Sequence, residues 1–280
     1  MASQRTLLAV HAHPDDETIT TGGTLARYAA EGVRTVVVTC TRGDLGWVFD
    51  PTLVGQDVAS VRDRELEDAC STLGVSRLAR LGYADSGMPG VPENHRPGGF
   101  FAADAHEAAD RLLKILEEER PRVMLAYDDT GGYGHPDHLK AHQVALAAFE
   151  AAGAARPDKL YFVRFPLTWS RDLVRSLREA GIDAPGSAAA GADAGPDVHE
   201  IGVPDQVVTT AIDVRRYVPT KVAALACHRS QLAPDHFLRR MPPALAERVW
   251  GYEYFSLESG PTACRRGPQV VEADLFAGLS

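Results

Sequence analysis

TLLAVHAHPDDE, residues 6–17, sets a short apolar run directly against two histidines and three carboxylates. The run suits a buried strand, and ligands of open α/β sheets bind beyond the carboxyl ends of strands. The cluster therefore stands where a site belongs; loops that merely carry surface charge seldom concentrate so much titratable chemistry beside a core strand. A dinucleotide fold would place a GxGxxG turn here, whereas this chain has Gly22 and Gly23 only after the ionisable groups. Imidazole and carboxylate at this density suit a borderline divalent metal such as zinc or iron(II).

Outward from that stretch, β-branched apolar runs alternate with segments of helical period. This is the pattern of an α/β, Rossmann-like, mostly parallel sheet with helices on both faces. Strands are expected at Thr6 to Val10, Val33 to Thr39, Leu78 to Leu81, Val123 to Tyr127 and Lys159 to Phe165. A smaller C-terminal α/β portion adds strands at Gln206 to Ile212 and Glu253 to Leu257, with a helix at Val214 to Cys227. Asp104 and Glu107 resemble a capping pair for a helix whose apolar face is Ala108, Leu112, Ile115 and Leu116. Pro136 suits the first turn of another helix that runs to about Gly153. Residues 183–197, DAPGSAAAGADAGPD, cannot bury a core and read as a flexible surface insertion.

At 280 residues, with 45% hydrophobic and 24% charged, the chain is sized for one principal domain, taken as 1–280. A net charge of −9 and the lack of a Lys/Arg stripe disfavour nucleic acid. No apolar segment could span a bilayer or serve as a signal sequence, so a cytoplasmic protein without a membrane partner is expected. Cys40, Cys70, Cys227 and Cys264 form no CxxC pair, so neither a disulfide framework nor a thiolate zinc site is indicated. The expected partner is a small molecule, and a homo-oligomer is left open.

A second cluster, YDDTGGYGHPDHLKAH at 127–142, follows the fourth strand. Parallel strands bring such ends to one edge, so the two clusters can converge on one site. His138 and His142 share a helix face. Spacing alone does not choose among His135, His138 and His142 as the third ligand.

AHPDDE (12–17) followed by GYGHPDH (132–138) resembles the PIG-L/LmbE-type metal-dependent deacetylases, which remove acetyl groups from N-acetylglucosaminyl compounds. The likeness extends through VTCTRGDLG (38–46), VRDREL (61–66), DSGM (85–88), CHRSQ (227–231) and the tail EADLFAGL. Within the family it is nearest to the mycothiol-pathway deacetylase and the mycothiol S-conjugate amidase. The resemblance implies that His13, Asp16 and His138 bind zinc or iron(II), that Asp15 is the general base, and that Tyr133 helps stabilise the oxyanion. It makes His135 the electrophile or acid, steered by Asp137. It also places Arg62 and Asp85 on the sugar and His228 near the site. Thr20 stands where the conjugate amidase carries lysine, which favours a deacetylase, and no long apolar acyl slot is anticipated.

These roles fit the reaction. An acetamide demands a nucleophile at neutral pH, a polarised carbonyl and a proton for the leaving amine. The expected function is therefore hydrolysis of an N-acetylglucosaminyl acetamide; the conjugate amidase, or deacetylation of another acetylated amino sugar in secondary metabolism, is the alternative. A non-catalytic sugar- or nucleotide-binding protein with a structural metal is a further reading. A phosphoesterase would want two metals and basic phosphate clamps, for which Arg62 alone is insufficient. Trp47 and Phe49 belong either to a pocket rim or to the core edge.

Overall fold

The computed structural model describes residues 5–182, 202–233, 236–262 and 272–279; the expected insertion at 183–197 lies outside them. Strands β1 (Thr6–His11), β2 (Arg34–Thr41), β3 (Arg77–Tyr83), β4 (Val123–Ala126), β5 (Lys159–Arg164), β6 (Thr210–Asp213) and β7 (Tyr252–Ser259) form one sheet, ordered β3-β2-β1-β4-β5-β7-β6. Strands β1 to β5 pair in parallel, and β7 runs antiparallel to β5 and β6. The chain winds outward from β1 to β3 and returns to β4 on the other side of β1. That reversal opens a crevice beyond the carboxyl ends of β1 and β4, where both clusters lie.

The helices are α1 (Asp16–Ala30), α2 (Val58–Leu73), α3 (Ala105–Glu119), the single turn α4 (Gly131–Gly134), α5 (Pro136–Ala151), α6 (Leu167–Glu179), α7 (Val218–Leu225), α8 (Phe237–Arg240) and α9 (Pro243–Trp250). Strand alternation divides the core. Leu8 and Val10 pack with Val38 and Met124 under α3 and α5, while Leu7 and Ala9 pack with Val37 and Leu125 under α1 and α2. The expected cap of α3 is present, with the Asp104 carboxylate accepting from the N–H groups of His106 and Glu107. A third apolar cluster joins α6, α7 and α9. Among the described residues, no helix is long and apolar enough to cross a membrane.

The C-terminal portion extends the same sheet. Its first strand starts later than expected, at Thr210, because Pro204 opens a 3₁₀ turn over Asp205–Val207. The following helix likewise starts at Val218, after a 3₁₀ turn at Arg215–Tyr217 and with Pro219 in its first turn. Glu253 on β7 ties this portion to the front of the molecule. Its carboxylate accepts from the N–H groups of Gly23 and Thr24 at 2.9 and 2.7 Å and from Lys221 Nζ at 2.6 Å, all buried. Glu253→Ala leaves Lys221 buried without a counter-charge and is expected to lower the unfolding free energy by about 3–5 kcal/mol. Chemical denaturation measures this, and a change under about 1 kcal/mol would show the pair to be dispensable.

Candidate active site

β1 ends at His11, and the turn into α1 is held in an unusual shape. Asp15, at the N-cap of α1, has φ +111°, a costly backbone conformation for a residue with a side chain. Its N–H donates to Glu17 Oε2 at 2.9 Å, and Glu17 Oε1 lies 2.9 Å from His228 Nε2 in a fully buried pair. On the other side, Arg62 from α2 donates to the Pro14 carbonyl at 2.6 Å, to the Gly43 carbonyl at 2.8 Å and to Asp15 Oδ2 at 3.1 Å. Gly43 has φ +60°, and a Cβ there would stand 2.3 Å from the guanidinium. The two clamps fix the direction of each acidic side chain.

Asp16 turns inward. Its Oδ2 accepts from the His13 N–H at 2.8 Å and lies 3.4 Å from both His13 Nδ1 and His138 Nε2. Each imidazole is held through its other nitrogen, His13 Nε2 by Asp137 Oδ2 at 3.2 Å and His138 Nδ1 by the Gly131 carbonyl at 3.0 Å. His138 Nε2 is buried and has no hydrogen-bond partner among the described residues. Buried ring nitrogens aimed at a shared carboxylate, with the opposite nitrogens anchored, are what a divalent cation requires. Gly131 has φ +61°, and a Cβ there would meet the His138 Cβ at 2.8 Å, so the anchoring carbonyl needs glycine. His13, His135 and His138, and separately His13, Asp85 and Asp137, also bring potential ligand atoms together. His142 does not take part: its Nδ1 faces the Tyr127 carbonyl and its ring packs on Phe162.

The charges divide sharply. Burial opposes charge on His13, yet Asp85, Asp137 and Asp16 together hold its imidazole well above the ordinary range. Burial likewise works against Asp16, but His138 and His13 hold its carboxyl well below the usual value. For Asp15, burial prevails over Arg62 and pushes the carboxyl up to about 6. Burial, reinforced by His13 and His138, pushes His135 down to about 3. His135 Nδ1 accepts from the Asp137 N–H at 3.1 Å, which assigns the proton of the neutral ring to Nε2.

Asp137 sits beside His135 in the chain, but its carboxylate engages His13 and the Ser86 N–H. Asp85 is equally committed, accepting from the Gly87 N–H at 2.8 Å with Oδ1 3.6 Å from His13 Nε2. Arg62 and Asp85 thus turn their polar ends onto Asp15 and His13, and neither lines the cavity beside the site. Tyr133 stands at the rim, 40% exposed, its ring 4.9 Å from that of His138. Trp47 is 70% exposed and, like Phe49, lies outside both the cavity lining and the core. His228 is a buried partner of Glu17.

Two functional residues escaped the sequence reading. Glu17 was legible as a third carboxylate, two positions after Asp15, but its partner His228 lies 211 positions away. Tyr127 read only as the end of a strand. Its ring stacks on His138 with centroids 4.4 Å apart, while its hydroxyl accepts from the Ala12 N–H at 3.2 Å and hydrogen-bonds Asp16. One side chain therefore braces both His138 and Asp16. Tyr127→Phe keeps the stack and removes the hydroxyl, and is expected to weaken the binding of a divalent cation by about 10–100-fold. Competition with a chromophoric chelator measures this, and unchanged affinity would reject the bracing role.

The sequence profile of the GlcNAc-PI de-N-acetylase (PIG-L) family matches residues 8–149. A 1D-myo-inositol 2-acetamido-2-deoxy-alpha-D-glucopyranoside deacetylase from Thermobifida fusca is 43% identical, over 98% of this chain and 100% of its own. Among solved structures, N,N'-diacetylchitobiose deacetylase from Pyrococcus horikoshii superposes with a TM-score of 0.60 at 21% identity, covering 91% of this chain and 84% of that one. The hydratase GalB from Pseudomonas putida superposes at 0.59 with 18% identity, covering 94% of this chain and 100% of its own. At such identity, likeness between structures carries the fold alone; the profile and the full-length relative carry the assignment, and the chain belongs to the PIG-L family.

Proposed function

We propose that the protein is a metal-dependent N-deacetylase that hydrolyses the acetamide of an N-acetylglucosaminyl compound, releasing acetate and a free amine. The observation that carries this reading is the donor set at the β1–β4 crevice: His13 Nδ1, Asp16 Oδ2 and His138 Nε2, which makes no hydrogen bond among the described residues, with Asp15 beside them. These three residues would hold zinc or iron(II), and His135 and Asp85 are left for other work. A cation bound there supplies Lewis acidity, which makes water ionisable near neutral pH and polarises a carbonyl. The family and the substrate of the Thermobifida relative support a glucosaminyl acetamide.

The chain's own groups then divide the proton work. Asp15, raised to about 6 by burial, is a competent base near neutral pH. It takes a proton from the attacking water as oxygen bonds to the carbonyl carbon, and returns one to nitrogen as the C–N bond breaks. His135, held neutral at about 3, serves as a hydrogen-bond donor through Nε2 to the carbonyl oxygen. That makes it the electrophile of the two roles expected for it, and Tyr133 at the rim is the second donor. Arg62 and Asp85 act by positioning: Arg62 holds the Asp15 carboxylate, and Asp85 holds His13 through its ring.

Acetate release from the inositol-linked acetamido-glucopyranoside tests the reading. A chelator is expected to abolish release, and zinc or iron(II) to restore it. Asp15→Asn should stay metal-loaded and lose about 10²–10⁴-fold in turnover. Near-normal turnover in that variant would remove Asp15 as the base. Full metal loading of the wild-type protein without acetate release from any acetylated amino sugar would leave a binding protein with a structural metal.

A further inference from the structure

Asp128 stands one position beyond Tyr127, in the turn that runs from β4 into α5, and it is buried. Its Oδ1 accepts from the Thr130 N–H at 3.0 Å, from the Thr130 hydroxyl at 2.6 Å and from the Gly132 N–H at 3.3 Å. This is the local bonding by which an aspartate shapes a turn. Its Oδ2 pairs with the guanidinium of Arg164 at the end of β5, and Arg164 Nε donates to Ser256 Oγ on β7 at 2.8 Å. One carboxylate thus joins the turn to the frame of the sheet.

The turn needs such a tie. Gly131, Gly132 and Gly134 have φ of +61°, +75° and +83°, angles that glycine reaches and leaves with equal ease, so its backbone does little to hold its own shape. Two backbone hydrogen bonds close it internally, from the Gly131 N–H to the Asp128 carbonyl and from the Gly134 N–H to the Thr130 carbonyl, both at 3.0 Å. Two parts of the site hang on it. The Gly131 carbonyl anchors His138 Nδ1 at 3.0 Å, and Tyr133 lines the cavity with its ring 4.9 Å from that of His138.

We propose that Asp128 is a positioning residue: through Thr130 and Gly132 it sets the turn that aims His138 at the cation and holds Tyr133 towards the substrate carbonyl. The Tyr133 half rests on the deacetylase reading of the site, whereas the His138 half needs only a bound cation.

The test uses the full chain, zinc as the probe metal and the inositol-linked acetamido-glucopyranoside as substrate. Asp128→Ala is expected to weaken zinc binding by about 10–100-fold, read by competition with a chromophoric chelator. At saturating zinc, Tyr133→Phe is expected to lower kcat by about tenfold or more in the wild-type background. In the Asp128→Ala background the same substitution is expected to cost under about threefold, because a displaced donor has little left to lose. A loss of folded protein scales both backgrounds alike and leaves the Tyr133→Phe factor unchanged. Asp128→Asn keeps an oxygen for Thr130 and Gly132, and is expected to regain most of the zinc affinity and most of that factor. Thr130→Ala, at an exposed position where folding is not at stake, is expected to move both readouts in the direction of Asp128→Ala by a smaller amount. Zinc affinity unchanged in Asp128→Ala and Thr130→Ala overturns the proposal. So does a Tyr133→Phe factor that is near one in the wild type or equal in every background, and so does an Asp128→Asn variant as impaired as Asp128→Ala. If the wild-type protein binds zinc and releases no acetate, the deacetylase reading fails on its own, and the zinc affinities alone decide what Asp128 does for His138.

Discussion

The strained turn at Asp15 is the constraint on which the site depends. A positive φ at a residue bearing a side chain costs of order 1–3 kcal/mol and persists only where its surroundings over-determine it. Here they do so from both sides, through Arg62 on the Pro14 and Gly43 carbonyls and through Glu17 on the Asp15 N–H. The result is that two adjacent carboxylates diverge. Asp15 is turned towards Arg62 at the cavity, and Asp16 towards His13 and His138. A relaxed helix start would give two acids with no such division between base and ligand.

The same crowding explains the electrostatics. Asp16, Asp85 and Asp137 all approach His13, so without a cation the cluster keeps its charge balance by holding a proton on that imidazole. A divalent ion would replace that proton with two charges and leave Asp85 and Asp137 as anchors of the ring. The low proton affinity of His135 comes first from its burial, and the neighbouring imidazoles of His13 and His138 add to it.

Much of this was legible in the sequence because it is local. Apolar runs located the strands, and two short clusters located both halves of the site, since a parallel sheet must bring its carboxyl ends to one edge. What escaped depends on distant contacts. The exclusion of His142 rests on where the Tyr127 carbonyl points, and the work of Glu17 and Arg62 rests on His228 and on a glycine carbonyl. The turn of the Asp137 carboxylate towards His13, 124 positions away, is no more visible from spacing. The cavity beside the site was not legible either, because its wall is assembled from α1, β5, α6, α8, β7 and the segments between them, which lie far apart in the sequence.

That distribution separates chemistry from substrate choice along the chain. Every residue assigned to the cation, the base, the donors and their clamps lies between His13 and His138, apart from His228 behind Glu17. The apolar wall, apart from Ile19, comes from Val163 onwards. The two stretches are joined mechanically by Glu253, which binds the backbone of α1 just behind the acidic turn while holding Lys221 of α7. Substitutions in the later wall can therefore reshape what enters the cavity without touching a group that moves a proton. The acidic turn itself tolerates no such latitude, because its geometry is fixed by partners on three separate elements.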